Sequence, residues 1–113
     1  MMSRFAENLT PPYMAVIFTN HLTSDDPAYG VTAARMVELA QDVTGFLGLE
    51  STRDEDGFGI TVSYWRDVEA IKIWRAQVNH LAAQAKGKSD WYQHYEVRIA
   101  RVERAYSGPE GRS

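Results

Sequence analysis

The chain has 113 residues, of which 44% are hydrophobic and 24% charged, a composition that fits one domain with one hydrophobic core. It contains no cysteine, which excludes disulfides, thiolate metal sites and cysteine nucleophiles. The formal net charge of -3, without a long basic face, argues against a nucleic-acid partner.

The first residues indicate an arm ahead of the folded domain. Pro11 and Pro12 disfavour both a helix and a central strand, so we expect a polar arm over residues 1–12 and a domain over residues 13–106. The composition of residues 107–113 is typical of a flexible tail. The N-terminus lacks the apolar core of a signal peptide, and the longest apolar run is too short to span a membrane. We therefore expect a cytoplasmic protein without a membrane partner.

The domain begins with a predicted strand and helix. Residues 13–22 include five consecutive apolar residues of strand-forming types, which is typical of a central strand buried on both faces. Asp26 and Pro27 are suited to cap and begin a helix that continues to about Val43. Gly45 can end this helix in a left-handed conformation.

A hairpin and a second helix follow. Residues 46–53 and 58–66 predict two antiparallel strands joined by the polar turn at 54–57. The apolar period then lengthens from two residues to three or four, which predicts a helix over residues 68–85 with Asp67 as its N-cap. The apolar stripe of this helix consists of Ile71, Trp74, Val78, Leu81 and Ala85.

The last predicted element is a strand over residues 96–106, which follows a short aromatic segment at 91–95. The resulting order predicts an α+β fold of the ferredoxin-like βαββαβ type, an antiparallel sheet with two helices on one face. Both faces of the first strand are apolar, and the helices can cover only one face. We therefore expect a homodimer formed through the open faces of two sheets.

Several short segments resemble one protein family. They are AVIFT at 15–19, TGFLGLES at 44–51, GITVSYW at 59–65, AIKIW at 70–74, HLAAQAKG at 80–87 and WYQHY at 91–95. Together they resemble the antibiotic biosynthesis monooxygenase (ABM) domain, a family of the dimeric α+β barrel superfamily. Its helix-to-strand junction usually reads PGFLG, and Thr44 replaces the proline here. The resemblance implies that two subunits share a barrel, and that each keeps a cavity between its sheet and its helices.

One branch of this family degrades heme. Its members use an asparagine on the first strand, a tryptophan on the second helix and a downstream histidine as iron ligand. Asn20 and Trp74 resemble the first two of these residues. The histidine position holds Gln84, while His80 lies one helical turn earlier on a nearby face.

Another branch oxidises aromatic polyketides with dioxygen and without a cofactor. Its members place an asparagine and a tryptophan around the third strand. Trp65 resembles that tryptophan, and Thr61 lies near the asparagine position. The resemblance therefore implies an oxidoreductase, and it leaves open which of the two chemistries applies.

The candidate site combines residues from both branches. The candidate catalytic residues are His80, Asn20 and Trp65, and the candidate substrate-binding residues are Trp74, Gln84, Trp91 and Tyr95. His80 could act as acid or base near neutral pH, although a boundary histidine bonded to a neighbouring strand or subunit is the simpler interpretation. Core packing is the simpler interpretation for Trp74, and core or interface packing for Trp91 and Tyr95. No histidine and carboxylate spacing predicts a metal site.

The functional prediction is a cofactor-independent monooxygenase of the ABM type that acts on a small aromatic or electron-rich organic molecule. We expect its cavity between the helix at 68–85 and the sheet. One alternative is a heme-binding or heme-degrading protein of the same fold. The other is a non-catalytic dimer that binds a small hydrophobic molecule or serves as a scaffold. The sequence does not decide whether catalysis occurs.

Overall fold

The chain folds into a four-stranded antiparallel sheet with two helices, seen in a computed structural model that describes residues 4–23, 27–84 and 91–109. The strands are β1 Tyr13–Leu22, β2 Phe46–Arg53, β3 Phe58–Trp65 and β4 Tyr92–Val102, and the helices are α1 Pro27–Gln41 and α2 Val68–Gln84. The strand order β2-β3-β1-β4 confirms the ferredoxin-like prediction. Within the described residues, no helix is long and apolar enough to cross a membrane.

The core lies between the helices and one face of the sheet. Alternate residues of a strand point to opposite faces, so Met14, Val16, Phe18 and Asn20 share the helix side of β1. The buried apolar residues on this side form one cluster, which consists of Val16, Ala40, Val43, Trp65, Ala70 and Ile71. This cluster joins both helices to the two central strands.

The helix-free face of the sheet is partly covered by the N-terminal arm. The backbone N–H of Ala6 donates to Glu50 Oε2 at 3.1 Å, and the hydroxyl of Tyr64 donates to Glu50 Oε1 at 2.6 Å. Burial and the bond to Glu50 both raise the pKa of Tyr64. Tyr13 packs edge-on against Tyr64, and its ring centroid lies 5.7 Å away. A half-buried carboxylate on β2 therefore ties the arm to the sheet.

The predicted bounds of the last strand were wrong. The strand spans Tyr92–Val102 rather than residues 96–106, because antiparallel pairing with β1 sets both of its ends. Tyr13 pairs with Val102, and Leu22 pairs with Tyr92 after a register shift between His21 and Leu22. The aromatic segment thus becomes the first part of the strand.

The predicted helix signals can be checked where the structure describes them. The carboxylate of Asp67 accepts the backbone N–H of Ala70 at 2.9 Å, which confirms the N-cap of α2. This bond, and to a smaller extent Arg66, lowers the pKa of Asp67. Gly45 has φ +104°, as predicted for the residue that ends the helical region before β2. The predicted cap Asp26 and the tail residues 110–113 lie outside the described residues.

Replacement of Gly45 should destabilise the fold. In Gly45→Ala, the left-handed backbone costs about 1–2 kcal/mol. The new Cβ would also lie 2.9 Å from the Cβ of Ala70, which adds to this cost. Chemical denaturation should show the loss as a lower unfolding midpoint.

The matched control is Gly30→Ala in α1. Among the described residues, no atom outside the adjacent residues and the backbone of its own helix lies within 4 Å of an added Cβ at that position. Alanine in a helix interior is favoured over glycine by about 0.5–1 kcal/mol, so the control should be stabilised. Equal effects of the two substitutions would contradict the assigned role of Gly45.

Candidate functional site

Trp65 holds the corner where β3 passes into α2. It is fully buried, and its ring packs against Trp74 of α2 at 5.2 Å and Phe46 of β2 at 5.1 Å between centroids. Its indole N–H donates to Ser63 Oγ at 2.9 Å, so the buried donor is satisfied. The indole N–H of Trp74 donates to the carbonyl oxygen of Met36 in α1 at 3.1 Å. Two of the predicted site residues therefore lie together in the core and connect both helices to the sheet.

Asn20 lies near the other end of β1 and is only 2% exposed. Its Oδ1 accepts a hydrogen bond from Arg53 Nη2 at 2.8 Å. A guanidinium has donors and no acceptor, so Oδ1 must face Arg53 and Nδ2 must face away from it. Nδ2 has no hydrogen-bond partner among the described residues. A buried donor left unpaired costs about 1–3 kcal/mol, which makes Asn20 a candidate ligand contact.

The side chain of Arg53 reaches Asn20 by passing over Gly59 of the intervening strand β3. Pairing across the sheet places Arg53 of β2, Gly59 of β3, Asn20 of β1 and Tyr95 of β4 in one row on the helix side. A Cβ added to Gly59 would lie 2.7 Å from Arg53 Cζ, so the guanidinium occupies the space that a side chain there would fill. Arg53 is not among the candidate site residues predicted from the sequence. The available signal was a glycine inside β3 beside an arginine at the end of the paired strand.

Tyr29 links the Arg53 guanidinium to two further aromatic residues. Tyr29 of α1 packs edge-on against Trp91 at 5.5 Å and Tyr92 at 5.7 Å, and Arg53 Cζ lies 5.6 Å from the centre of the Tyr29 ring. Arg53 Nη2 donates to Tyr29 Oη at 3.2 Å, and the hydroxyls of Tyr29 and Tyr92 are also 3.2 Å apart. Burial, followed by the bond to Tyr29, raises the pKa of Tyr92, so its hydroxyl keeps its proton near neutral pH.

Two further predicted residues lie at this end of the sheet. Trp91 is half-buried, and its indole Nε1 is buried without a hydrogen-bond partner in the described part of the chain. Tyr95 is exposed and packs against Phe18 at 5.7 Å and Tyr92 at 5.9 Å between centroids. Asn20, Trp91 and Tyr95 thus share one end of the sheet. They are distinct from the Trp65 and Trp74 pair, because Trp65 pairs across the sheet with Met14, about 20 Å along β1 from Asn20.

The remaining predicted residues lie on the second half of α2. His80 is exposed and follows Trp74 by six residues, which turns its side chain about 120° away from Trp74 around the helix axis. The side chain of Gln84 lies outside the part of the structure that is described. Over the described ranges, no group of three histidine, cysteine or carboxylate residues could hold a metal ion. The catalytic role of His80 stays a prediction.

The fold and the site define a small ferredoxin-like α+β domain with a buried amide and an aromatic group at one end of its sheet. Residues 12–86 match the antibiotic biosynthesis monooxygenase family, and the chain belongs to this family. The family assignment made from the short sequence segments is confirmed.

Two relatives extend the comparison. The uncharacterized protein YqjZ of Bacillus subtilis is 52% identical over 104 residues, which cover 92% of this chain and 91% of YqjZ. The jasmonate monooxygenase ABM of Pyricularia oryzae is 29% identical over 93 residues. That match covers 78% of this chain, which spans only 42% of the length of the fungal protein.

Solved structures share the fold at low sequence identity. SnoaB, a cofactor-independent oxygenase from Streptomyces nogalater, superposes with a TM-score of 0.67 at 12% identity, over 84% of this chain and 97% of SnoaB. PA3566 from Pseudomonas aeruginosa gives a TM-score of 0.63 at 17% identity, over 87% and 99% of the two chains. These similarities support the fold alone and do not assign a functional role to any residue.

The hydrogen bond from the indole N–H of Trp65 to Ser63 should contribute measurably to the free energy of unfolding. Ser63→Ala leaves the buried indole N–H of Trp65 unpaired, at an expected cost of about 1–3 kcal/mol. In a Trp65→Phe background there is no N–H to pair, so the same serine substitution should cost much less. A double-mutant cycle of denaturation free energies tests this coupling. Equal costs in the two backgrounds would contradict it.

Proposed function

We propose that this chain is a monooxygenase that oxidises a small aromatic or other electron-rich organic molecule without a metal or flavin. The observation that carries the proposal is Asn20, a buried amide with an unpaired donor among the described residues, linked through Arg53 to a group of aromatic side chains. Membership of the ABM family supports it. A fold shared with a cofactor-independent oxygenase supports it further.

Such a reaction requires a substrate that supplies its own electrons. One suitable group is a methylene conjugated with a ketone through an aromatic ring, which is oxidised as CH2 + O2 → C=O + H2O. The substrate loses a proton, its carbanion reduces dioxygen, and the peroxide formed at that carbon loses water. One oxygen atom enters the substrate, the other leaves as water, and the two C–H bonds supply all the electrons.

In this proposal Asn20 acts on the deprotonated substrate. Its Nδ2 donates to the oxyanion of the enolate, a task for which a preorganised donor in a site of low dielectric constant is effective. Trp91, Tyr92 and Tyr29 provide apolar surface that excludes water from the reacting atoms. Trp65 and Trp74 support the site indirectly, since they hold both helices on the sheet.

Heme binding is the second candidate, because Asn20 and Trp74 occupy positions that resemble those of heme-degrading members. The available histidine on α2 is His80, and it fits poorly as an iron ligand beside Trp74. It is exposed and lies about 120° away around the helix. We therefore favour oxidation of an organic substrate and use hemin as a comparison ligand.

The oxidation is tested with an anthrone, whose methylene lies between two aromatic rings. Dioxygen uptake above the protein-free background should accompany formation of the anthraquinone at equal molar amounts. Asn20→Leu should lower the rate about 100- to 1,000-fold, the usual effect of removing one oxyanion donor. Asn79→Leu, at an exposed asparagine of α2, is the matched control and should leave the rate unchanged.

Two results would contradict the proposal. One is an equal rate for wild type and Asn20→Leu. The other is the absence of oxidation together with a one-to-one Soret change on hemin titration that His80→Ala abolishes. The second result would favour the heme alternative.

A homodimer formed through the helix-free face completes the proposed assembly. Phe58 and Ile60 of β3 lie on this face and remain 46% and 37% exposed in the single chain. Light scattering should give twice the chain mass of 12.8 kDa, and Ile60→Lys should shift the mass toward the monomer. Val31→Lys is the control, because Val31 is 74% exposed on α1. A wild-type mass of 12.8 kDa at micromolar concentration would contradict the dimer.

A further inference from the structure

The side chains around Arg53 present hydrogen-bond donors without matching acceptors. Asn20 Nδ2 and Trp91 Nε1 are both buried, and neither has a partner among the described residues. The hydroxyls of Tyr29 and Tyr92 share one hydrogen bond, which uses one of their two hydrogens. Tyr92 is the donor in this bond, and the hydroxyl hydrogen of Tyr29 has no acceptor in the described stretches of the chain.

These donors belong to one connected group. Arg53 bonds to both Asn20 and Tyr29, while Tyr29 contacts Trp91 and Tyr92 through its ring. The group joins the ends of β1 and β2 to the first turn of α1 and to the start of β4. The unpaired donors therefore belong to side chains that are linked through Arg53 and Tyr29 rather than to unrelated points of the fold.

The positive charge of Arg53 also lacks a protein counter-ion within the described residues. Its hydrogen bonds go to Asn20 Oδ1, Tyr29 Oη and the carbonyl oxygen of Gly57, which are all uncharged acceptors. Among the described residues, the ion pairs of the chain involve other cations. A ligand that accepts from Asn20 and Trp91 would satisfy these buried donors, and one that also carries negative charge would gain charge-assisted hydrogen bonds to Arg53.

We infer that the substrate carries an anionic oxygen group on an aromatic or apolar body, and that Arg53 and Asn20 bind this group. A carboxylate and a phenolate or enolate oxygen share this chemistry. This inference rests on the proposed function, and it specifies the chemical class of the substrate. Arg53 is then a specificity residue, positioned because Gly59 lets its guanidinium cross β3.

Equilibrium binding tests the inference without requiring oxidation. Isothermal titration calorimetry of the full chain compares 2-naphthoate with 2-naphthamide, which differ mainly in charge, and ionised 4-nitrophenolate with 4-nitroanisole. The anion of at least one pair should bind about 10- to 100-fold tighter than its neutral counterpart, as expected for hydrogen bonds to a charged group. The pair that shows the larger preference distinguishes a carboxylate site from a phenolate site.

Variants assign the preference to Arg53. Arg53→Gln should abolish the preference for the anion. Arg53→Lys should retain only part of it, because an ammonium lacks the planar fork of a guanidinium. Arg35→Gln is the matched control, since Arg35 is an exposed arginine of α1 that pairs with Glu38. It should bind both probes as the wild type does.

Gly59→Ala tests the geometry while keeping the charge. Its Cβ would displace the guanidinium from Asn20, so the preference for the anion should fall as in Arg53→Gln. Circular dichroism and the thermal midpoint show whether this variant and the Arg53 variants are folded, since Arg53 also satisfies the buried oxygen of Asn20.

The outcomes separate this inference from the proposed function. Equal binding of anion and neutral probe in both pairs would overturn it, as would an unchanged preference in Arg53→Gln or no saturable binding at millimolar concentration. Anion binding that depends on Arg53, without any oxidation of an anthrone, would support the binding group and contradict only the reaction. Oxidation of the anthrone without a preference for the anion would support the reaction and contradict the binding group.

Discussion

The packing of Trp65 is the interaction on which the arrangement of this domain depends. The indole is fully buried between Phe46 of β2 and Trp74 of α2, and Trp74 is bonded in turn to the backbone of α1. One side chain at the end of β3 thus fixes the position of both helices on the sheet. Its own polar atom is satisfied by Ser63, two residues earlier on the same face of the strand. This end of the domain has the contacts expected of a structural core.

The opposite end of β1 has a different physical character. Asn20 is almost as buried as Trp65, yet half of its amide is unpaired within the described residues. The cause is the neighbouring arginine, which can only donate and therefore takes the oxygen of the amide. Arg53 in turn depends on Gly59, because any side chain there would occupy the path of the guanidinium. A glycine in a strand interior is unfavourable for the sheet, and here it permits a contact between strands that are not neighbours.

Sequence reasoning predicted the elements whose limits are set locally. The alternation of β3, the change of period after Trp65 and the cap at Asp67 all depend on neighbours in the chain, and the structure agrees with them. The last strand was misplaced because its ends depend on pairing with β1, which lies far away in sequence. Asn20 was recognised as a polar residue ending an apolar strand. Arg53 was missed because its contact with Asn20 crosses an intervening strand, and only the register of that strand brings the two together.

The unpaired donors connect the candidate site to the stability of the whole chain. Each buried donor without a partner costs about 1–3 kcal/mol, against a total stability of about 5–15 kcal/mol for a typical domain. Asn20 Nδ2 and Trp91 Nε1 lack a partner among the described residues, and a cost of this size for the two donors is a substantial fraction of such a stability. A ligand that accepts from both removes this cost in the folded state only, since the unfolded chain satisfies the same groups with water. Part of the apparent binding free energy is then relief of a penalty already present in the free protein, so acceptor-rich ligands are favoured over apolar ones of similar shape.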